Sequence, residues 1–369
     1  MATSNQAKEL KFAVLGAGHG GLAMAGHLAL MGFHVNLFNR SKERLWGVLS
    51  TGGIRIESEF GLEGFGEIKL ATTDIQKAIN DVDIIMVVVP ATAHKYMAEI
   101  TAPYLQNGQM IILNPGRTFG ALEFRQILNK QNVSVDVIVA EAQTFIYASR
   151  VIGPGHAKIF RIKNSIPVAS IRAHLIPELL KKVRIAYPQF VPGDNIFKTS
   201  FDNIGAVFHP TLCVLNSGWI EDDSEFQFYV QGVTSSVSKI LEKVDEERVL
   251  VAEALGIRAL TAREWLYLAY NAAGSNLYDA MRANPGYRGI KAPTRLNMRY
   301  ITEDVPTSLI PISSVGKKFG ISTPTIDSII HIASCLTQTD YWKEGRTVER
   351  LNIHNMSLKD LRLLAIGEK

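Results

Sequence analysis

The chain has 369 residues, of which 47% are hydrophobic and 20% are charged, and its formal net charge is +4. This length exceeds that of a typical single core and predicts two domains, and the composition excludes global disorder. The small net charge without a run of Lys and Arg argues against a nucleic-acid-binding protein, and no apolar run is long enough to cross a membrane.

The first predicted elements are a strand at Leu10–Leu15, a helix at Leu22–Met31 and a strand at His34–Phe38. The turn between the first two has the spacing GxGxxG. Its first glycine permits a tight turn, its second lets a pyrophosphate approach the backbone, and its third lets the helix pack against the strand. This context predicts a dinucleotide-binding turn, although a glycine-rich turn in another α/β protein is the alternative. The predicted cofactor contacts in the turn are Gly16, Gly18, His19, Gly20 and Gly21.

The second strand is followed by Asn39, Arg40 and Ser41, and no carboxylate follows until Glu43. Sites that prefer NAD usually have Asp or Glu here to bind the ribose 2′-hydroxyl, whereas Arg accommodates a 2′-phosphate. The sequence therefore predicts that NADP(H) is preferred and that NAD(H) is possible. Arg40 would stack on the adenine or pair with the phosphate, and Ser41 would donate a hydrogen bond. The alternative is a solvated basic loop.

Further strands are predicted at Asp83–Val89, Gln109–Leu113 and Val135–Ala140, with helices beginning near Ala91 and at Gly120–Lys130 between them. This alternation predicts an α/β, Rossmann-type doubly wound parallel sheet. Ligands of such sheets lie beyond the carboxyl ends of the strands, so the residues there are expected to surround the cofactor. Ordinary turn chemistry is the alternative for these residues. They are Pro90, Asn114, Pro115, Gly116 and the segment Glu141–Thr144.

A hairpin at Ile146–Lys163 and a helix at Pro167–Tyr187 are predicted to complete the first domain. Helical periodicity dominates the rest of the chain, as in Val230–Leu255. We therefore expect a dinucleotide-binding Rossmann domain at residues 1–194 and an all-helical, substrate-binding C-terminal domain at residues 195–369.

The cellular location is predicted from the N-terminus and the cysteines. The residues before Lys11 are polar and lack the apolar segment of a secretory signal. The two cysteines, Cys213 and Cys335, form no CxxC pair, and the sequence has no HExxH motif. These features predict a cytoplasmic protein with two buried thiols, no disulfide and no metal site.

Two segments of the second half contain side chains suited to catalysis. The first holds Asn203 and His209, and the second holds Arg299 and Asp304. A histidine can exchange protons near neutral pH, although one within an apolar run can equally be a core residue. The planar fork of an arginine matches a carboxylate, although the second segment can also be a charged surface loop.

Seven further segments carry a resemblance to a known family. They are Leu113–Gly116 followed by Ala121–Phe124, His209–Pro210, Asn284–Gly289, Arg299–Tyr300, Glu303–Val305 and Lys343–Arg346. With the glycine motif, they resemble the opine dehydrogenases, which include octopine and N-(1-carboxyethyl)norvaline dehydrogenases. The resemblance extends over nearly the whole chain. The combination of His-Pro, Arg-Tyr and Glu-Asp-Val is specific, whereas the glycine motif alone is not.

The resemblance implies a reductive condensation by a homodimer. An α-keto acid such as pyruvate forms an imine with the amine of an amino acid, and the nicotinamide reduces it to an N-(1-carboxyalkyl) amino acid. His209 would be the general acid and base, and Asp304 would hold and charge-compensate its imidazole. Arg299 would clamp a substrate carboxylate, and Asn203 would hydrogen-bond substrate or water. The family has a second Asn four residues before the histidine, where this chain has Gly205.

Two other functions fit parts of the sequence. The first is a reductase of a simple 2-keto acid or carbonyl compound, similar to ketopantoate reductase or glycerol-3-phosphate dehydrogenase. Those enzymes resemble each other in using a catalytic lysine, and no lysine lies between Thr199 and Lys239 in this chain. The second is a sensor that binds NADP(H) without turnover.

Overall fold

In the computed structural model, which describes residues 10–59, 61–222 and 224–368, the chain divides between two units. The first unit consists of Met1–Gly116, Gly120–Thr199 and Leu363–Lys369, and the second of Arg117–Phe119 and Ser200–Arg362. The domain boundary predicted after residue 194 stays a prediction. The residues ahead of Leu10, on which the prediction of no secretory signal depends, lie outside the described residues.

Within the described residues, the strands all belong to the first unit. They are β1 (Lys11–Leu15), β2 (His34–Phe38), β3 (Gly53–Ser58), β4 (Gly64–Glu67), β5 (Leu70–Thr72), β6 (Ile84–Val87), β7 (Met110–Leu113), β8 (Ile138–Ala142), β9 (Tyr147–Gly153), β10 (His156–Ile162), β11 (Ile166–Ser170) and β12 (Phe190–Pro192).

Eight of these strands form one sheet in the order β12-β11-β8-β7-β6-β1-β2-β5. Neighbours are parallel except β8 and β11, and Val14 of β1 lies between Leu37 of β2 and Met86 of β6. Every residue of β6 and β7 is buried, as expected for apolar strands covered on both faces. The strand order reverses beside β1, which forms a crevice at the carboxyl edge of β1 and β6. The predicted Rossmann-type fold is confirmed.

Helices of the first unit are α1 (His19–Leu30), α2 (Trp46–Thr51), α3 (Ile75–Ile79), α4 (His94–Thr101), α5 (Gly120–Lys130) and α6 (Ile176–Val183). Helix α1 contacts strands of both sheets, the large one and a second sheet of order β4-β3-β10-β9. Residues 21–28 of α1 are all buried, as expected for a helix that is apolar around its whole circumference. The glycine-rich turn is therefore attached to a helix fixed on two sides.

Two expectations for the first unit need correction, and one sheet was not expected. The predicted helix Pro167–Tyr187 is wrong, because its first residues, up to Ser170, belong to β11 and α6 begins only at Ile176. Val168 and its neighbours pair with β8 and β12, so tertiary pairing overrides the helical pattern there. The strand predicted at Val135–Ala140 is β8, which begins at Ile138. The four-stranded sheet was not predicted beyond its β9–β10 hairpin, which is confirmed.

The second unit is helical, as predicted. The chain passes from the first unit to the second within α7 (Ile196–Phe201). The helices that follow are α8 (Gly205–Leu215), α9 (Ser217–Glu221), α10 (Ser235–Ala254), α11 (Ala262–Tyr270), α12 (Leu277–Ala283), α13 (Arg299–Thr302), α14 (Ile310–Lys318), α15 (Pro324–Thr337), α16 (Tyr341–Glu344) and α17 (Leu358–Ile366). Within α17 the chain returns to the first unit. The helix expected to start at Val230 starts at Ser235, because Thr234 Oγ1 accepts a hydrogen bond from the Val237 amide.

Both cysteines are free, but only Cys213 is buried, so the prediction of a buried Cys335 is wrong. The inner face of α15 is formed by Ile326, Ile330 and Ala333. Two residues beyond Ala333 the helix has turned by about 200°, which places Cys335 on the outer face.

The described residues include no helix of the length and apolar character needed to span a membrane. Within the same residues, no group of three or more His, Cys, Asp or Glu side chains has the geometry of a metal site.

Candidate active site

The turn after β1 has the geometry of an anion site. Gly16 has a φ of 115°, and a Cβ on it would lie 2.4 Å from the Val88 carbonyl oxygen. A Cβ on Gly21 would lie 1.7 Å from the Gly16 oxygen, so α1 can approach the turn only without a side chain there. At Gly18, no described atom lies within 4 Å of the corresponding position. Gly18 caps α1 without a side-chain hydrogen bond, so the first amides of the helix can bind a phosphate.

His19 and Gly20 fasten this turn to its surroundings in the first unit. His19 Nδ1 accepts a hydrogen bond of 2.8 Å from the Val151 amide of β9. A Cβ on Gly20 would lie 2.8 Å from the Phe145 ring. The two residues therefore contribute to the shape of the turn, and their contact with a cofactor stays a prediction.

The residues after β2 are arranged around the Asn39 side chain. Asn39 Oδ1 accepts a hydrogen bond of 3.1 Å from the Ala17 amide, and its Nδ2 donates to Ser41 O and Oγ at 3.0 and 3.1 Å. Arg40 is exposed, and its guanidinium lies 5.6 Å from the centre of the Tyr96 ring. Asn39 thus links the glycine-rich turn to this loop, and Arg40 is the first of several exposed charged residues in it.

The predicted residues at the next strand ends lie at the same edge of the sheet. Pro90 caps the helical turn Ala91–Ala93, and the amide of Gly116 donates to the Ala142 oxygen at 3.1 Å. The Asn114 side chain is buried, and its Nδ2 donates to the Ile112 oxygen at 2.8 Å.

Within the described chain, Asn114 Oδ1 is a buried acceptor without a hydrogen-bond partner. Such an atom costs about 1–3 kcal/mol, a cost that a hydrogen bond from a donor of a bound molecule would offset. The half-buried Pro115 follows it.

Glu141, at the end of β8, is completely buried. Its Oε2 accepts a hydrogen bond of 2.9 Å from the Ala121 amide at the start of α5, and its Oε1 accepts one of 2.7 Å from Thr199 Oγ1. The carboxylate therefore connects three segments of the first unit at the strand edge.

In the second unit, His209 and Asp304 are in contact. His209 Nδ1 lies 2.9 Å from Asp304 Oδ2, and Asp304 is completely buried, while the His209 side chain is 19% exposed. His209 lies in α8, and Asp304 follows α13 at the start of a π-helical turn, Val305–Leu309. Such turns widen a helix and are frequent at functional sites.

Two arginines and a second carboxylate extend this contact into a charged cluster. The cluster consists of Arg299, Glu303, Arg117, Asp304 and His209. Arg299 Nε lies 2.5 Å from Glu303 Oε2, Arg117 Nε lies 3.3 Å from Glu303 Oε1, and Arg117 Nη1 lies 3.2 Å from Asp304 Oδ1. Burial alone would lower the pKa of the Arg117 guanidinium, but Asp304 and Glu303 outweigh burial and raise it. Positive and negative groups therefore alternate from Arg299 to the imidazole.

Asn203 lies beside this cluster and is buried. Its Nδ2 donates to Ser308 Oγ at 2.9 Å, and the Ser308 hydroxyl donates to Asp304 Oδ1 at 3.5 Å. A Cβ on Gly205 would lie 3.3 Å from Asn203 Oδ1 and 3.2 Å from His209 Cε1, so the amide oxygen and the imidazole face the same small space.

Aromatic rings cover the imidazole. The His209 and Tyr300 rings are stacked, with centroids 4.2 Å apart, and the Tyr229 ring lies 6.4 Å away. Burial raises the pKa of both phenols and also that of the Cys213 thiol, so these groups stay protonated near neutral pH. The imidazole is consequently the side chain of this neighbourhood best suited to exchange protons.

The structure thus brings together His209, Asp304, Arg299 and Asn203 in the second unit, and the predicted cofactor residues in the first. The sequence reasoning missed Arg117. The only sequence signal for Arg117 is its position directly after the Asn-Pro-Gly turn. Glu303 was noted within a motif, but its contacts with two arginines were not predicted.

Two family models and a curated relative match this chain, and together they cover both of its units. Residues 11–119 match the NAD binding domain of 6-phosphogluconate dehydrogenase, and residues 192–337 match the alpha-helical domain of NAD/NADP octopine/nopaline dehydrogenase. An opine dehydrogenase of Arthrobacter sp. (strain 1C) is 38% identical over 351 residues, which cover 95% of this chain and 97% of the relative.

Among solved structures, octopine dehydrogenase with NADH and L-arginine has a TM-score of 0.82 at 21% identity and 98% coverage of both chains. NADP+-bound yersinopine dehydrogenase has a TM-score of 0.76 at 16% identity, covering 96% of this chain and 99% of the other. At these identities the two structures establish the shared fold.

Proposed function

We propose that this chain, which belongs to the opine dehydrogenase family, uses His209 as the proton carrier of its reaction and Asp304 to hold the imidazole. The chain is an NAD(P)-dependent oxidoreductase that reductively condenses a keto acid with an amino acid. The observation that carries the proposed roles is the 2.9 Å contact between His209 Nδ1 and the buried Asp304 carboxylate.

Imine formation from an amine and a keto acid requires a proton donor and a proton acceptor, because the carbinolamine must lose water. Asp304 Oδ2 accepts a hydrogen bond from Nδ1–H of His209, which leaves Nε2 of the neutral ring as the atom that takes up and returns the proton. The buried carboxylate also stabilises the imidazolium. Stacking on Tyr300 keeps the ring in one plane.

Arg299 and Asn203 are proposed to orient the substrates. The Arg299 side chain is 60% exposed and is fixed at Nε by Glu303, so it is accessible to a substrate carboxylate. Asn203 Oδ1 faces the space beside His209 and would accept a hydrogen bond from substrate or water. Holding the imine in one orientation lowers the entropic part of the barrier.

The cofactor supplies hydride to the imine carbon. We propose that the first amides of α1 bind its pyrophosphate and that NADP(H) is preferred to NAD(H). The support for this preference is the exposed Arg40 and the engagement of the Asn39 side chain by Ala17 and Ser41. Asn114 Oδ1, as a buried acceptor, would receive a hydrogen bond from the bound cofactor.

We propose pyruvate or a similar short 2-keto acid as the acid and an amino acid as the amine. Structures of octopine dehydrogenase with NADH and L-arginine, and with NADH and pyruvate, support this choice. A homodimer in the cytoplasm is also proposed. The family resemblance supports the dimer, and the two free cysteines fit a reducing compartment.

The test is NADPH oxidation with pyruvate and a panel of amino acids, with each component omitted in turn. Oxidation that requires both the acid and the amine is expected. Oxidation with the acid alone would indicate the carbonyl reductase instead, and tight NADPH binding without any oxidation would indicate the sensor.

His209→Gln tests the role of the imidazole in the same assay. It should abolish turnover and leave NADPH binding unchanged. Normal turnover of this variant would remove His209 from the mechanism.

A further inference from the structure

We infer that Arg117 is a positioning residue for the His209–Asp304 pair and that Gly205 provides the space that its guanidinium occupies. The inference rests on the proposed role of His209. It assigns a function to two residues outside the predicted site, one of which departs from the family pattern.

The backbone around Arg117 is held in an unusual conformation. Arg117 and Phe119 have φ angles of 60° and 61°, in the left-handed region that residues with side chains rarely adopt. Hydrogen bonds fix the segment from several sides. The Thr118 amide donates to the Thr307 oxygen at 3.2 Å, and the buried Arg346 donates to the Thr118 oxygen at 3.0 Å. Strained backbone conformations of this kind persist where the surrounding contacts fix them. Here the left-handed backbone directs the Arg117 side chain toward the charged cluster.

The two oxygens of the Asp304 carboxylate contact different side chains. Nη1 of Arg117 binds Oδ1, while Oδ2 faces His209 Nδ1. At the same time Nε of Arg117 binds Glu303. Because the planar guanidinium is anchored on Glu303 and contacts one oxygen of Asp304, it restrains rotation of the Asp304 carboxylate about its Cβ–Cγ bond, so the other oxygen stays directed at the imidazole. The orientation of His209 therefore depends on a residue that need not touch the substrate.

The position of the Arg117 guanidinium also explains why residue 205 has no side chain. A Cβ on Gly205 would lie 2.9 Å from Arg117 Nη1, closer than Cβ atoms approach other heavy atoms. Gly205 is not among the residues with positive φ, so its backbone would accept an alanine. A side chain at 205 and the present position of the guanidinium therefore exclude each other, and both are adjacent to the imidazole.

The test is a double-mutant cycle of Arg117→Met and Gly205→Ala in the full-length enzyme. Arg117→Met should lower kcat by between about tenfold and 100-fold, the effect of a small misorientation, and should leave the KM for NADPH unchanged. Gly205→Ala should lower kcat similarly, because its methyl group displaces the guanidinium. In the double variant the clash of 2.9 Å with the guanidinium is gone, and the contacts of 3.2 Å with His209 Cε1 and 3.3 Å with Asn203 Oδ1 require shifts of only a few tenths of an ångström. The kcat of the double variant should therefore equal that of Arg117→Met.

The inference would be overturned if the kcat loss of the double variant equalled the product of the losses of the two single variants, or if Arg117→Met had a normal kcat. Matched controls in the same unit are Arg282→Met, which removes an exposed arginine, and Gly218→Ala, which adds a Cβ in open space. Both should keep the kcat of the unmodified enzyme.

Arg117→Lys guards against a variant that fails to fold. It keeps the charge but offers one point charge to two carboxylates, so its kcat should lie between those of the unmodified enzyme and Arg117→Met. If Arg117→Met does not fold, a normal kcat for both Arg117→Lys and Gly205→Ala would overturn the inference. Loss of turnover in His209→Gln together with a normal Arg117→Met would reject only this inference, whereas turnover in His209→Gln would reject the proposed function.

Discussion

The glycine-rich turn and the charged cluster are built in opposite ways. The turn is made of backbone from consecutive residues, and its essential property is that side chains are missing at Gly16, Gly18 and Gly21. The cluster is made of side chains from distant segments, with Arg117 and Glu303 separated by 186 positions. An added methyl group should therefore damage the turn, whereas a removed charge should damage the cluster.

The largest effect is expected from Asp304→Asn. The amide keeps the shape of the side chain but leaves both the half-buried Arg117 and the imidazolium without their common counter-charge. We expect kcat to fall by about 10²-fold or more, and the free energy of unfolding to fall by about 3–5 kcal/mol. Steady-state kinetics and urea denaturation would measure the two losses.

Asp222→Asn, at an exposed position, is the control for Asp304→Asn and should change neither quantity. An unchanged kcat in Asp304→Asn would show that the cluster has no part in proton transfer.

Gly18→Ala tests the opposite principle in the turn. The added Cβ meets open space, so the thermal unfolding temperature should stay the same. NADPH affinity should fall by about tenfold or more, because the methyl group enters the volume reserved for the pyrophosphate. Titration by NADPH fluorescence measures the affinity, and an unchanged dissociation constant would place the phosphates elsewhere.

Arg40→Glu should reverse the preference between the two cofactors. Loss of a charged hydrogen bond to the 2′-phosphate, with a carboxylate in its place, should lower the ratio of kcat/KM for NADPH over NADH by about 10–100-fold. Arg44→Glu, which changes another exposed arginine of the same loop, should leave the ratio unaltered. An unchanged ratio of kcat/KM for NADPH over NADH in Arg40→Glu would mean that another group binds the 2′-substituent of the ribose.

The smallest effect concerns a histidine without a carboxylate partner. His27 of α1 is buried, and its Nδ1 lies 2.8 Å from the Tyr147 hydroxyl. Burial lowers the pKa of His27, so in the acid range the unfolded chain binds this proton more readily than the folded protein. The stabilisation is present above the ordinary histidine pKa of about 6.5 and is lost as the pH falls below it.

His27→Gln keeps a polar contact but cannot titrate. The fall in the unfolding free energy between about pH 7 and pH 5 should therefore be less steep in this variant than in the unmodified protein. Urea denaturation at several pH values would measure the two slopes, and the exposed His354→Gln would be the control. Equal slopes in His27→Gln and the unmodified protein would refute the interpretation.

The same contrast between turn and cluster explains what the sequence could predict. The GxGxxG turn and the buried strands around it depend on local patterns, so they were predicted within a few residues. Tertiary pairing decided the rest: β11 forms where a helix was expected because β8 and β12 pair with it. His209 and Asp304 were associated through the family resemblance alone, since no local pattern joins residues 95 positions apart. Arg117 stands beside a motif that suggests a turn, and nothing in that motif indicates a long-range ion pair.

The division of the chain limits how its parts could be exchanged. Arg117–Phe119 belong to the second unit although they are encoded between two segments of the first. A fragment comprising residues 200–362 would carry His209, Asp304 and Gly205 but not the arginine that joins them. Recombination between relatives that replaced only this continuous segment would pair a new residue 205 with the resident Arg117. If Arg117 has the inferred role, a chimaera that brings a side chain to position 205 must exchange residues 117–119 as well, although they lie outside the segment that encodes nearly all of the helical unit.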